Sequence, residues 1–98
     1  MPGKVKVEVM TGPRSGLQES GQFIITTEEG TYYQSYDHVI AFVPKAKLMP
    51  DGTKVLIDKG WTRQRKNTCK YRERFLDEGK AKTKAKIASG EYELADLN

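Results

Sequence analysis

Through most of the first half of the chain, apolar and β-branched residues alternate with polar ones at a period near two, the spacing of strands with one face buried. Val5, Val7 and Val9 are separated by Lys6 and Glu8 and predict a first strand. Thr11-Gly12-Pro13-Arg14-Ser15-Gly16 follows, and its Gly and Pro residues break any regular ladder. A second strand is expected over Gln22 to Thr27, a turn at Glu28-Glu29-Gly30, and a returning strand over Thr31 to Tyr36 carrying Tyr32, Tyr33 and Tyr36. Val39 to Val43 is continuously apolar, as in a strand covered on both faces, and Pro44 closes it. Met49-Pro50-Asp51-Gly52 combines a residue that presets φ with one free to take positive φ. It predicts a turn joining this strand to Val55–Ile57 as an antiparallel hairpin.

After Gly60 the spacing becomes helical. Tyr71 and Phe75 are four apart, as are Arg72 and Leu76, and Gly79 stands where a left-handed C-terminal cap belongs, which predicts a helix from about Asn67 to Glu78. Ala81, Ala85 and Ala88, flanked by Ile87, extend the same spacing into a second short helix that Ser89-Gly90 ends. Tyr92, Leu94 and Leu97 indicate a last strand returning to the sheet. The expected architecture is one α+β domain over residues 1–98. It has a small antiparallel, curved sheet of four to five strands built mainly from 1–58, one or two C-terminal helices within a basic segment at 59–90, and a strand or tail at 91–98.

Composition sharpens this. A chain of 98 residues supports one modest core, burying roughly 60–65% of the surface its unfolded form exposes, which argues against a large enclosed pocket. A hydrophobic content of 37% is low, but the aromatic residues exceed what disordered segments carry. The longest apolar run falls far short of the roughly 20 residues needed to cross a bilayer, and no N-terminal apolar run resembles a signal peptide, so a soluble, non-exported chain without a membrane partner is expected. Cys69 is the single cysteine, which excludes an internal disulfide and fits a reducing compartment such as the cytosol.

Candidates for chemistry are few. His38 follows Asp37, with Ser35 three residues before it, but neighbours on a strand point to opposite faces, so the two are not expected to act as an orienting pair. Cys69 has no histidine beside it in sequence and reads as a small half-buried side chain. The Gly12–Gly16 loop lacks the glycine spacing and Lys-Ser/Thr ending of a phosphate-binding loop. Glu28-Glu29 is a turn pair, and Asp51-Gly52-Thr53 lacks the remaining ligands of a calcium loop. No catalytic residue, metal site or cofactor is expected, and the chain reads as non-enzymatic.

Charge is the informative feature. The net +4 conceals six basic against seven acidic residues over 1–58, eleven basic against three acidic over 59–86, and three acidic residues after that. Arg63, Arg65 and Lys66 lead into the first helix, Lys70, Arg72 and Arg74 lie on it, and Lys80, Lys82, Lys84 and Lys86 follow. At 100° per residue Lys66, Lys70 and Arg74 form one stripe opposite Tyr71 and Phe75, and like charges at that spacing repel unless something negative covers them. A polyanion would do so, with Trp61 and exposed tyrosines available to stack bases, although a domain this small also needs Trp61 and at least one tyrosine in its core. The predicted contact set is Trp61, Arg63, Arg65, Lys66, Lys70, Arg72 and Arg74. Single-stranded or backbone-directed nucleic acid is favoured, because no base-reading helix is recognisable. The same charge suits an acidic protein face, and exposed edge strands allow a homodimer. The position of the acidic tail decides how far the basic segment is masked.

Gln34-Ser35-Tyr36-Asp37 with Val39-Ile40-Ala41, then Trp61, then Thr68-Cys69-Lys70-Tyr71-Arg72 with Phe75-Leu76, and finally Ile87 to Asn98 occur in an order that resembles a family of small uncharacterised proteins of tailed phages and prophages. The resemblance covers Gln34 to Asn98, about two-thirds of the chain. It implies a viral accessory role in the cytoplasm of an infected bacterium and carries over no catalytic or ligand residues, because the family has no established activity. Two functions follow as expectations: an accessory binding protein that contacts nucleic acid through the basic segment, or an inhibitor or modulator of a host polymerase, nuclease or defence complex that works by protein–protein contact alone.

Overall fold

The alternating half of the chain forms the bulk of a single sheet. The structure, a computed structural model, describes residues 5–12, 16, 18–45 and 54–98, the side chains of 18–20 excepted. The strands are β1 (Lys6–Thr11), β2 (Gln18–Thr26), β3 (Gly30–Ser35), β4 (His38–Pro44) and β5 (Val55–Asp58). A 3-10 turn (Trp61–Arg63), helices α1 (Lys66–Leu76) and α2 (Lys80–Ser89), and β6 (Tyr92–Ala95) complete the chain. The strands lie in sequence order, antiparallel from β1 to β5, in a curved sheet that does not close. β6 pairs parallel to β5, Val55 opposite Tyr92 and Asp58 opposite Ala95.

The α+β class is as expected, but the sheet has six strands rather than four or five, and the last departs from the antiparallel pattern. The connection from β5 to β6 passes through both helices, which is the long crossover that a parallel pair requires. The predicted β4–β5 hairpin is present, with Ala41 opposite Ile57 and Phe42 opposite Leu56. The Met49–Gly52 turn and Pro13–Ser15 lie outside the described residues.

The continuous apolar run in β4 has a specific cause. Between Tyr33/Gln34 on β3 and Ala41/Val39 on β4 the register slips, so Ile40 is an extra residue on β4. A bulge of this kind breaks the strict alternation of faces. Ile40 and Ala41 are therefore both fully buried, Ile40 against Met10, Tyr33 and Tyr71, and Ala41 against Ile57, Trp61 and Tyr92. Phe42 packs against Tyr32, ring centroids 4.6 Å apart. It also covers Gly30, where a Cβ would lie 2.8 Å from the Phe42 ring and 2.3 Å from the Val43 carbonyl oxygen.

Phe75 on α1 packs against both halves of the core and lies 5.8 Å from Tyr33, centroid to centroid. The helix ends earlier than predicted. Asp77, not Gly79, takes the left-handed cap (φ 56°), while Gly79 is extended and begins α2. Aspartate tolerates this conformation, and the early stop releases Glu78 from the helix. Its buried carboxylate accepts hydrogen bonds from Thr83 Oγ1 (2.6 Å), Lys86 Nζ (2.7 Å) and the Tyr92 hydroxyl (2.7 Å), tying α1, α2 and β6 together. The α2 face set against the fold consequently runs through Thr83 and Ile87, and Ala81, Ala85 and Ala88, whose spacing marked the helix, are exposed.

The segment after β6 is clamped to the sheet. Asn98 exchanges two hydrogen bonds with the Val39 backbone, its Oδ1 accepting from the N–H at 2.7 Å and its Nδ2 donating to the carbonyl at 3.0 Å. Asp58 accepts from Leu97 N and Asn98 Nδ2, each at 3.1 Å. At the opposite edge, Val7 on β1 and Val5 just before it are exposed.

Candidate nucleic-acid interface

The start of α1 is held against the β3–β4 end of the sheet by a buried polar seam. The Tyr33 hydroxyl donates to Gln22 Oε1 and lies 3.2 Å from the Thr68 carbonyl. Gln22 Nε2 donates to Ser35 Oγ at 3.1 Å, and Ser35 and Thr68 share a hydroxyl–hydroxyl bond of 2.8 Å. Gln22 and Ser35 are opposed in the β2–β3 register, so the sheet prepositions both. Burial pushes the Tyr33 phenol well above the usual tyrosine range. This seam fixes Thr68, and with it the first turn of α1, to within a hydrogen-bond length of β3.

That first turn is basic and carries no acidic residue. Arg65 occupies the N-cap position in extended conformation and makes no capping bond. Helix N-termini are the positive end of the backbone dipole, so two cations at the cap and first position concentrate like charge there. Cys69 is half-buried, as expected, with its Sγ 3.7 Å from the Gln64 carbonyl.

The seven predicted contact residues divide into three groups. Arg63, Arg65, Lys66 and Lys70 are exposed, and among the described residues no carboxylate pairs with any of them. Lys66 and Lys70 are separated by about 6 Å along the helix axis. Arg74 is exposed but committed: its Nη1 donates to the Thr11 carbonyl, and its guanidinium sits 5.4 Å over the Tyr71 ring. Trp61 and Arg72 are buried, which removes both from the contact surface. Arg72 is 1% exposed, with its guanidinium 4.8 Å over the Trp61 ring and Nη2 3.7 Å from Glu73. For Arg72 the reason lies in the helical period of α1. Thr68, Tyr71, Arg72 and Phe75 share the face laid on the sheet, whereas Lys66, Lys70 and Arg74 share the opposite one.

Lys80, Lys82 and Lys84 are exposed along α2, again without an ion pair among the described residues. Lys86 is paired with Glu78 and lies 3.5 Å from Glu91. The acidic tail forms β6 and its extension beside β5, so among the described residues its ion pairing reaches Lys86 and not the four cations around the start of α1.

The structure also brings together residues that the sequence reading kept apart. Ser35, Tyr36, Asp37 and His38 from the β3–β4 turn and Gln64, Arg65 and Thr68 from the start of α1 line an open cleft of about 400 Å³. Asp37 and His38 do face each other, Oδ1 to Nδ1 at 2.9 Å, because Asp37 belongs to the turn rather than to the strand. The His38 hydrogen bond holds the Asp37 carboxyl below the usual carboxylate range. Both side chains are open to solvent. Among the described residues there is no group of three or more His, Cys, Asp or Glu able to hold a metal, and no helix long and apolar enough to cross a membrane.

These features define an α+β protein with an antiparallel-dominated sheet and a basic surface around the start of its first helix. Comparison with protein-family models, with curated proteins and with solved structures yields no match.

Proposed function

We propose that this chain is a non-enzymatic accessory binding protein that engages the backbone of nucleic acid through Arg63, Arg65, Lys66 and Lys70. The observation that carries this reading is that four exposed cations crowd the uncapped start of α1 with no acidic partner among the described residues, while Arg74 and Lys86 are occupied by the fold. Crowded like charge raises the energy of the unbound state, and a line of phosphates relieves it. Four phosphate contacts on a single strand give a slope of log K against log salt of about −3, or roughly fiftyfold in affinity between 50 and 200 mM salt. Equilibrium titration of a labelled oligonucleotide by fluorescence anisotropy at several salt concentrations tests it. Absence of binding at low salt, or affinity flat with salt, refutes it.

The exposed valines of the β1 edge favour a second reading, the inhibitor or modulator of a host factor, in which a protein partner adds a strand there. A pull-down from bacterial lysate after nuclease treatment tests it. A retained acidic host protein that Val7→Lys releases supports this reading, and capture that depends on nucleic acid refutes it.

A further inference from the structure

The cleft between the β3–β4 turn and the start of α1 has a composition unlike the rest of the basic surface. Tyr36, one of its lining residues, has positive φ (53°), a conformation costing a non-glycine residue roughly 1 kcal/mol or more. The strain is over-determined by the surroundings. Tyr36 N donates to the Gly21 carbonyl at 2.6 Å, and Gln34 Nε2 donates to the Tyr36 carbonyl at 2.7 Å. The ring packs directly on Gly21, where a Cβ would lie 2.4 Å from Tyr36 Cε1, and the residue remains 58% exposed. A large aromatic is thus fixed in solvent at a turn position that asparagine or glycine would occupy more easily.

Gln64 and Arg65 line the same cleft from the start of α1, and His38 and Asp37 line it from the turn. The hydroxyls of Ser35 and Thr68, also in the lining, bond to each other. Gln64 Nε2 donates to the Gly60 carbonyl at 3.2 Å and His38 Nδ1 pairs with Asp37 Oδ1, so the cleft offers a stacking surface, a guanidinium for a phosphate, and Gln64 Oε1 and His38 Nε2 for the edge of a base. Its volume of about 400 Å³ falls within the range of roughly 300–1,000 Å³ that holds small organic ligands.

We propose that this cleft is a subsite for a single nucleotide, its base stacked on Tyr36 and its phosphate paired with Arg65, and that a single strand supplies that nucleotide. The proposal rests on the nucleic-acid reading above and deepens it, because duplex DNA keeps its bases stacked on one another and cannot present one to Tyr36. Stacking and charge separate cleanly in their salt dependence. Phosphate contacts set the slope, whereas a stacked base adds affinity at every salt concentration.

The test uses the full chain, thymidine octanucleotide, free thymidine monophosphate and inorganic phosphate. Tyr36→Leu is expected to weaken octanucleotide binding about tenfold or more at every salt concentration with the slope unchanged, and Tyr36→Phe to restore it. Arg63→Gln, outside the cleft, is expected to reduce the magnitude of the slope by about 0.7 while the Tyr36→Leu effect persists. Thymidine monophosphate should displace the octanucleotide at lower concentration than inorganic phosphate does. An octanucleotide that binds Tyr36→Leu as tightly as the unaltered chain overturns the subsite and leaves the backbone reading standing. Equal competition by phosphate and thymidine monophosphate also overturns it, and thymidine monophosphate binding without octanucleotide binding overturns the strand as its source. Binding of neither the octanucleotide nor thymidine monophosphate at low salt overturns both readings.

Discussion

Glu78 joins three elements through one buried carboxylate, and its removal is the sharpest probe of the helical half of the fold. Its side chain is 2% exposed and accepts from Thr83, Lys86 and Tyr92 at 2.6–2.7 Å. Hydrogen bonds to a charged group contribute about 1.5–3 kcal/mol each when broken singly. Two effects reduce the sum for Glu78→Ala: the desolvation cost of the carboxylate is recovered, and Lys86, whose side chain is 26% exposed, turns to water. A net loss of about 3 kcal/mol remains, which for a chain of 98 residues lowers Tm by about 12–24 °C. Urea denaturation should show a lower midpoint at unchanged m-value, and the exposed control Glu93→Gln should stay within about 0.5 kcal/mol of the unaltered chain.

The pH dependence gives an independent check. Burial acts to raise the Glu78 carboxyl, but the hydrogen bonds from Lys86, Thr83 and Tyr92 outweigh it and hold the group below its ordinary value of 4.5. A depressed native pKa means that the ionised form is favoured on folding. Its stabilisation is therefore complete above about pH 4.5 and is lost as the pH falls through the native value. The stability gap between the unaltered chain and Glu78→Ala should narrow below that point. A gap no larger than that of Glu93→Gln, or one constant down to pH 3, refutes the reasoning.

Arg72→Met is expected to leave stability unchanged or raise it by about 1–4 kcal/mol, because Arg72 Nε and Nη2 are buried without a hydrogen-bond partner among the described residues and a similar-sized apolar side chain removes that cost. The same variant should bind oligonucleotide within twofold of the unaltered chain, and a loss matching that of Arg65→Gln would contradict the burial of Arg72. Gly30→Ala places a Cβ 2.3 Å from the Val43 carbonyl at a φ of +157°, and a loss of about 3 kcal/mol in chemical denaturation is expected; a change under 1 kcal/mol would mean that the β3–β4 spacing can relax. Burial raises both Tyr33 and Tyr92 above the ordinary tyrosine value of 10.0, which favours their neutral forms in the native state. Their contribution is present below pH 10 and fades as the pH rises through the native values, so circular dichroism at rising pH should show stability falling above pH 10 and more shallowly in Tyr33→Phe.

Much of the sheet was legible because β1 to β3 follow a period near two between glycine-containing turns, and the Pro-Asp-Gly signal sets off the short apolar β5. The β4 bulge was not, since one inserted residue sends Ile40 and Ala41 into the core together and leaves only an uninterrupted apolar run in the sequence. The parallel pairing of β6 depends on where two helices return the chain, which no local period encodes. In α2 the alanines had the right spacing, but the packed face is set by the hydroxyl of Thr83 reaching Glu78 and by Ile87.

For the candidate site, the Lys66, Lys70 and Arg74 stripe followed directly from helical spacing. Arg72 was counted with the surface because of its charge, although at 100° per residue it stands about 40° from Thr68 and about 60° from Phe75, on the side of the helix that is buried. The cleft joins residues 35–38 to residues 64–68, and only the Ser35–Thr68 bond and the seam behind it bring these together. The segment charges acquire a meaning that the net +4 lacked. The acidic tail is pinned to Val39 and Asp58 through Asn98, and the start of α1 keeps its cations without an acidic partner among the described residues.

The most direct test of the account is the salt dependence of octanucleotide binding by the unaltered chain beside a variant with Arg63, Arg65, Lys66 and Lys70 all replaced by glutamine. The unaltered chain should give a slope of log K against log salt of about −3, and the variant a slope near zero with the fold intact by circular dichroism. Equal slopes for the two proteins would contradict the claim that this cluster is the contact surface.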